Sequence, residues 1–453
     1  MTYGSTCVTA IKRRDASWTR QQRSASRAKR LRRGPAHRLA GNLDDGTLDR
    51  PVLGDSTRVR PEQIADDAQA LQAAQRLAEV FAAEAAARDR ERRLPWAELD
   101  AFVASGLWGI TVPRQYGGAG VGSRTLAEVT AIIAAADGSL GQIPQNHFYA
   151  LEVLRVGGRP DQQRFFYERV LAGDRFGNAL AEIGHKDFKR RTRLTRSATG
   201  WQIDGRKFYC TGALFAHWIP TQVIGEEEGR DVTYLVFVPR DAPGVEVIDD
   251  WDGFGQRVTG SGSVQFSQVR VEPEWIVPFQ ASFERPTTIG PFAQIIHAAI
   301  DLGQARGALH AALQFVRERS RPWIDAKVEH ASQDPLTITQ FGDLAVRLSA
   351  AEALVRRAGR FVDAAQAEPT ERSVAHASVA VAEARALTTT VSLDAGSRLF
   401  ELAGTAATLD DLGLDRFWRN ARTHTLHDPV RWKYHAVGNF YLNDKLPPRH
   451  GAL

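Results

Sequence analysis

Val112-Pro113-Arg114-Gln115-Tyr116-Gly117-Gly118-Ala119-Gly120 is a turn set between helical stretches. Pro113 cannot sit inside a helix, and the glycines that follow permit a tight reversal that other residues resist. Upstream, from Pro61 on, Ile64, Ala68, Leu71, Ala74, Leu77, Phe81 and Ala85 recur at helical spacing among polar positions. Pro95 breaks that pattern, and a short helix is expected over 97–105. Downstream, 126–136 reads as a helix, and another runs to about Val156, with Pro144 marking a break or a fresh start.

The periodicity changes near Phe176. Asp204-Gly205, before Lys207-Phe208-Tyr209-Cys210, carries a hairpin signal. Thr233–Val238, Val245–Ile248 and Gly262–Val271 read as strands with turn residues between them. Helical patterns return after Pro291, most clearly over 298–319. Further helices follow at 336–362, 371–400 and 429–442. The order helices, strands, helices makes the chain α+β, with a β domain inserted between helical ones. The expected parts are a basic, disordered tail or over-called start over 1–58, helices over 59–174, a β-barrel over 175–284 and a four-helix bundle over 285–453. The tail is expected to be dispensable. The late helices are long and Ala-rich, which suits a subunit interface, and a homotetramer is expected.

Composition excludes some functions. The 453 residues carry 58 Lys and Arg against 53 Asp and Glu. Residues 1–40 hold eleven of those basic residues and one acid, Asp15, leaving 47 basic and 52 acidic residues elsewhere. The body therefore has no basic nucleic-acid footprint. No apolar run approaches the roughly 20 residues of a membrane span, and no secretory signal core is present, so a cytoplasmic protein is expected. Cys7, Cys210 and Met1 are the only sulfur-bearing residues. Either a GC-rich genome or sulfur sparing accounts for that scarcity.

Three stretches together resemble motifs of the acyl-CoA dehydrogenase superfamily. They are the Val112–Gly120 turn, Ile203-Asp204-Gly205-Arg206-Lys207-Phe208-Tyr209-Cys210-Thr211-Gly212, and Arg398-Leu399-Phe400-Glu401-Leu402-Ala403-Gly404-Thr405. The departures point to one branch. Asn178-Ala179-Leu180-Ala181-Glu182-Ile183-Gly184-His185-Lys186-Asp187 replaces the loop that opens the dehydrogenase β domain. Arg319-Ser320-Arg321-Pro322-Trp323 replaces its FAD-grasping segment, and Thr425-Leu426-His427-Asp428-Pro429 replaces the segment bearing its catalytic carboxylate. Those replacements, with Trp251 and the Gly260-Ser261-Gly262-Ser263 run, resemble dibenzothiophene monooxygenase and the sulfur-acquisition oxidoreductases linked to dimethyl sulfone use.

That resemblance implies a monooxygenase using FMNH2 from a separate NAD(P)H flavin reductase, acting on an organosulfur or related small compound. The alternatives are an acyl-CoA dehydrogenase holding FAD, and a non-catalytic protein that keeps the fold. No Rossmann glycine motif follows a strand, so the chain is not expected to reduce flavin itself. A monooxygenase needs a dry site and control of one proton on the activated oxygen. His427 suits that task, since an imidazole holds or gives a proton near neutrality; its other reading is packing at a helix start. The resemblance also assigns catalytic roles to His147 and Asn178. Flavin contacts are expected from Asn178, Thr211, Ser261, Arg319, Glu401 and Gly404, and pocket walls from His147, Trp251 and Phe254; the other readings are a strand-end turn for Thr211, a satisfied core histidine for His147 and core packing for the two aromatics. Arg319 would grip the flavin phosphate, from a neighbouring subunit; its other reading is a plain surface Arg. Asp428 falls where a dehydrogenase base would lie, but a turn-stabilising Asp before Pro429 is the preferred reading. His424, His427 and His435 lack acidic or cysteine partners, so no metal site is expected.

Overall fold

The computed structural model describes residues 59–453, apart from 185, 188 and 199; the expected tail over 1–58 lies outside the described residues. Six helices come first: α1 (Asp67–Glu91), α2 (Trp96–Ala104), α3 (Ser123–Ala136), α4 (Gly138–Gln142), α5 (Gln145–Gly157) and α6 (Pro160–Leu171). The α1 helix begins at Asp67, later than the apolar pattern, because Asp66 caps it by accepting from Gln69 N at 2.9 Å. Ala70, Ala74, Leu77, Phe81 and Ala85 form its buried stripe, and Ala68 is exposed. In the glycine turn, Gly120 N donates to Val112 O at 3.0 Å. A Cβ at Gly118 would lie 2.1 Å from that same carbonyl, so only glycine fits.

Seven strands follow: β1 (Arg193–Ser197), β2 (Gly200–Lys207), β3 (Trp218–Glu227), β4 (Arg230–Pro239), β5 (Val245–Ile248), β6 (Ser263–Val271) and β7 (Ile276–Val277). They pair in the order β5-β6-β2-β1-β3-β4-β7, antiparallel except where β1 meets β3. Asp204-Gly205 is not a hairpin turn. It lies inside β2, where the register against β6 shifts between Ile203 and Gly205, and Asp204 Oδ1 accepts from Gln268 N at 2.8 Å. The hairpin reversal falls between Ser197 and Gly200.

The last helices are α7 (Ile289–Glu318), α8 (Pro335–Ala367), α9 (Glu371–Ala403), α10 (Asp415–His424) and α11 (Arg431–Asn443). The α7 helix is the axis of the molecule, packing against α9, α3, α8 and α5. Every residue from Ile289 to Ala305 is buried. A Cβ on Gly303 would meet Ala131 O at 2.4 Å, so this glycine lets α7 and α3 approach closely. Close packing carries polar side chains of α7 into the interior, where they must find partners.

Candidate active site

The site is built where α5, α7 and the turn after α10 converge. Backbone bonds from Leu426 N to Thr423 O and from His427 N to His424 O end α10 in a tight turn. His427 thereby reaches the wall of a cavity of about 830 Å³. Asn146 and Tyr149 of α5 and Gln294 and His297 of α7 share that wall. Gln145 lines it too, and its Oε1 is buried without a protein partner among the described residues.

The His427 side chain is 45% exposed, while Asp428 beside it is buried. Asp428 Oδ2 lies 3.6 Å from His427 Nδ1 and 3.9 Å from both Arg385 Nη2 and Lys433 Nζ. Burial alone would raise this carboxyl. The His427 ring, Lys433 and Arg385 instead hold it well below the usual carboxylate range. An ionised group so stabilised is a weak base for pulling a proton from carbon. Lys433 donates to Gln294 Oε1 at 3.1 Å and also to Ala452 O. Burial pulls its ammonium down to about 8, against the opposing pull of Asp428.

Asn178, Thr211 and Ser261 come together as a second, buried group. Asn178 Nδ2 donates to Thr211 O at 3.2 Å, and the Thr211 and Ser261 hydroxyls are 2.7 Å apart. Ser261 also meets Thr259 Oγ1 at 2.7 Å. Adjacent amide and hydroxyl groups of this kind suit the edge of a heterocycle that carries both N–H and C=O groups. The unpartnered Gln145 Oε1 adds an acceptor of the same sort.

Other expected site residues lie elsewhere. His147 is fully buried, accepts from Phe176 N at Nδ1 (3.1 Å) and so donates from Nε2 to Trp108 O (2.8 Å). Burial pushes its pKa down to about 3, against that bond. It is a core histidine joining α5 to the segments around Trp108 and Phe176; its neighbours Asn146 and Tyr149 line the cavity instead. Phe254 is half exposed, stacks on Trp418 at 6.1 Å and lines a separate surface cleft. Trp251 donates to Gln256 O at 2.9 Å and lies 6.2 Å from Tyr209, away from the His427 cavity wall. Arg319 caps α7 with its side chain over Phe315, while Glu401 and Gly404 stand at the end of α9. Ser320 Oγ ties the two ends by donating to Ala403 O at 3.1 Å. Arg319 is 22 residues along the same helix from His297, about 33 Å at 1.5 Å per residue. Within one chain, these three residues therefore cannot join the His427 cavity.

His297 and Asp301 escaped notice in the sequence, although a signal was present. Gln294, His297, Asp301 and Gln304 interrupt an apolar helix at spacings of three and four, which draws a polar stripe down one buried face. Among the described residues no cluster of three His, Cys, Asp or Glu side chains is arranged for a metal ion, and no helix is long and apolar enough to cross a membrane.

The acyl-CoA dehydrogenase N-terminal domain model matches residues 65–174, and the C-terminal domain model matches 295–432. The chain belongs to the acyl-CoA dehydrogenase family, among its flavin-dependent monooxygenases. It is 35% identical over 409 residues to dibenzothiophene monooxygenase of Rhodococcus erythropolis, covering 86% of this chain and 96% of that one. It is 33% identical to a probable FMNH2-dependent monooxygenase, SfnC, of Pseudomonas putida, covering 83% and 96%. Among solved structures, TdsC from Paenibacillus sp. A11-2 with FMN and indole matches with a TM-score of 0.81 and 34% identity, covering 85% and 99%. Methanesulfinate monooxygenase MsuC from Pseudomonas fluorescens matches with a TM-score of 0.77 and 31% identity, covering 84% and 98%.

Proposed function

We propose that this chain is an FMNH2-dependent monooxygenase that oxygenates a small organosulfur compound for sulfur acquisition. A separate NAD(P)H flavin reductase supplies the reduced flavin in the cytoplasm. The observation that carries this reading is His427, half exposed on the wall of the cavity of about 830 Å³, beside a buried Asp428 whose Oδ2 lies 3.6–3.9 Å from His427 Nδ1, Arg385 Nη2 and Lys433 Nζ. That pairing suits control of a proton at an imidazole nitrogen and does not suit carboxylate abstraction of a carbon-bound proton, so the FAD-dependent dehydrogenase reading loses its base. The relatives named for FMN, FMNH2 and sulfur substrates support the same choice.

The chemistry that reduced FMN would supply when bound is the electron pair needed to activate O2. The protein's part is to bind, orient and keep water away. Asn178, Thr211 and Ser261 hold the flavin edge, and Gln145 accepts from a donor on the cavity side. His427 holds or gives one proton at the reacting oxygen, and Asp428 places a carboxylate 3.6 Å from its Nδ1. We assign Arg319, Glu401 and Gly404 to the flavin of a neighbouring subunit in a homotetramer. Their distance from His297 along the bundle supports this, as do the exposed Leu336 and Val346 of α8 and Trp432, Tyr441 and Leu442 of α11. The test is an assay with FMNH2, O2 and candidate sulfones, sulfinates and thiophenes, measuring oxygenated product and H2O2. Oxygenated product matching FMNH2 consumption supports the reading; FAD-linked oxidation of acyl-CoA substrates would replace it.

A further inference from the structure

Asp301, His424 and His297 form one hydrogen-bonded file that ends at the cavity wall. Asp301 and His297 are one turn apart on α7, and His424, the last residue of α10, bridges them. His424 Nδ1 meets Asp301 Oδ1 at 2.5 Å, and His424 Nε2 meets His297 Nδ1 at 3.0 Å. Arg385 Nη1 (2.5 Å) and Thr389 Oγ1 (3.2 Å) donate to the other oxygen, Asp301 Oδ2. All three members of the file are at most 2% exposed.

Charge sets the direction of this file. Burial would raise the Asp301 carboxyl, but His424 and Arg385 hold it below its ordinary value. An ionised carboxylate can only accept, so His424 Nδ1 donates. Burial outweighs Asp301 and lowers the pKa of His424, which favours the neutral ring with a bare Nε2. His297 Nδ1 must then donate to it. Burial, together with His427, His424, Arg385 and Lys433, pushes His297 well below the usual imidazole value, so it too is neutral. Its Nε2 is left as a lone pair, and no protein group among the described residues bonds to it. His297 belongs to the cavity wall, and its ring lies against that of His427 with centroids 4.0 Å apart.

We propose that His297 is a second working residue of the cavity, a fixed hydrogen-bond acceptor paired with His427 as donor. This rests on the monooxygenase reading above. The wall then offers donor and acceptor side by side, and a reacting O–H group held at His297 Nε2 is oriented for His427. The file takes up no proton in this role, because His297 Nε2 accepts only while its ring stays neutral.

The test has two independent arms. In full-length protein with FMN, 15N-labelled histidine spectra, assigned with His297→Phe and His424→Phe, should show both rings neutral and protonated at Nδ1 at pH 7. A proton on Nε2 of His297, or a charged His297 ring, would overturn the file. In turnover, His297→Phe keeps an aromatic ring but loses the acceptor. Product per FMNH2 consumed should fall about 10-fold, the order expected for one hydrogen bond, with H2O2 rising in its place. FMN affinity and substrate KM should stay within about 3-fold, a smaller effect than losing a hydrogen bond would give. His297→Gln can present an amide oxygen and should recover much of the coupling. Equal coupling in His297→Phe and the wild type would overturn the assigned role. A wild type that oxygenates no organosulfur compound would instead refute the functional reading, while the tautomers still decide the file.

Discussion

His297, from the buried axis α7, and His427, from the turn after α10, lie ring against ring with centroids 4.0 Å apart and planes at 41°. One ring is fully buried and tied into the protein, and the other is nearly half exposed to the cavity. The difference in setting separates their tasks: the buried ring is fixed by its bond to His424, and the exposed ring is the one that reaches into the cavity.

His427→Phe should keep the fold and FMN binding while oxygenation falls about 10²–10⁴-fold, the range for losing one acid–base group. Reduced flavin should still be consumed, releasing H2O2. Asp428→Asn should lower oxygenation less. It should cost about 3 kcal/mol of stability, the low end for a broken buried ion pair because its partners stand 3.6–3.9 Å away. Denaturant melts beside coupled turnover assays separate the two effects; the opposite ranking in turnover would favour a carboxylate base.

The buried His147 predicts an acid limb in stability. Its folded pKa of about 3 lies below the ordinary 6.5, so the unfolded chain binds the extra proton first. Stability from this residue is fully present above pH 6.5 and is lost as the pH falls toward 3, by about 1.4 kcal/mol per unit. Melts of wild type and His147→Phe across that window should show a shallower slope in the variant. Parallel slopes would mean that the ring is hydrated in the folded state.

The helix–strand–helix order and the glycine turn were legible in the sequence because periodicity and breakers act locally. The β3 strand was not. Trp218–Gly225 is buried without interruption, so it lacks the alternation of a half-exposed strand, and Pro220 argued against pairing. Asp204-Gly205 misled because a bulge and a turn ask for the same residues. Around the site, the motifs named Asn178, Thr211 and Ser261, which the fold brings into one hydrogen-bonded group, and His427, which it sets on the cavity wall. Between the core and pocket readings of His147 the sequence could not choose, because helical phase, which sequence fixes only loosely, decides whether position 147 or its neighbours 146 and 149 face the cavity. The reach from Arg319 to His297 is invisible until helix length separates them in space.

Gly303→Ala should open the α3–α7 contact, since the added methyl would stand 2.4 Å from Ala131 O. The expected cost is about 2 kcal/mol, typical of overpacking. Gly303 lies two residues after Asp301, so coupling of FMNH2 use to product should fall as well. Unchanged melting and coupling would show that the helices yield without strain.

Arg319→Ala tests the neighbouring-subunit assignment. FMN should bind about 10-fold more weakly, as befits one charge-assisted hydrogen bond, with the fold and the His427 cavity intact. Sedimentation should find an assembly of several copies. An unchanged FMN affinity would return Arg319 to the role of a surface residue.

The sulfur-poor composition gives a physiological check. The transcript should rise when sulfate is withheld and an organosulfur compound is the sole sulfur source. Equal levels under both conditions would leave the scarcity of Met and Cys as genome bias.

The most direct measurement is a turnover with FMNH2, 18O2 and a small sulfone or sulfinate, followed by mass spectrometry of the sulfur product. One 18O atom per product molecule is expected, with His427→Phe giving H2O2 and little labelled product. Unlabelled products, together with acyl-CoA-dependent reduction of a dye by protein that retains FAD, would contradict it.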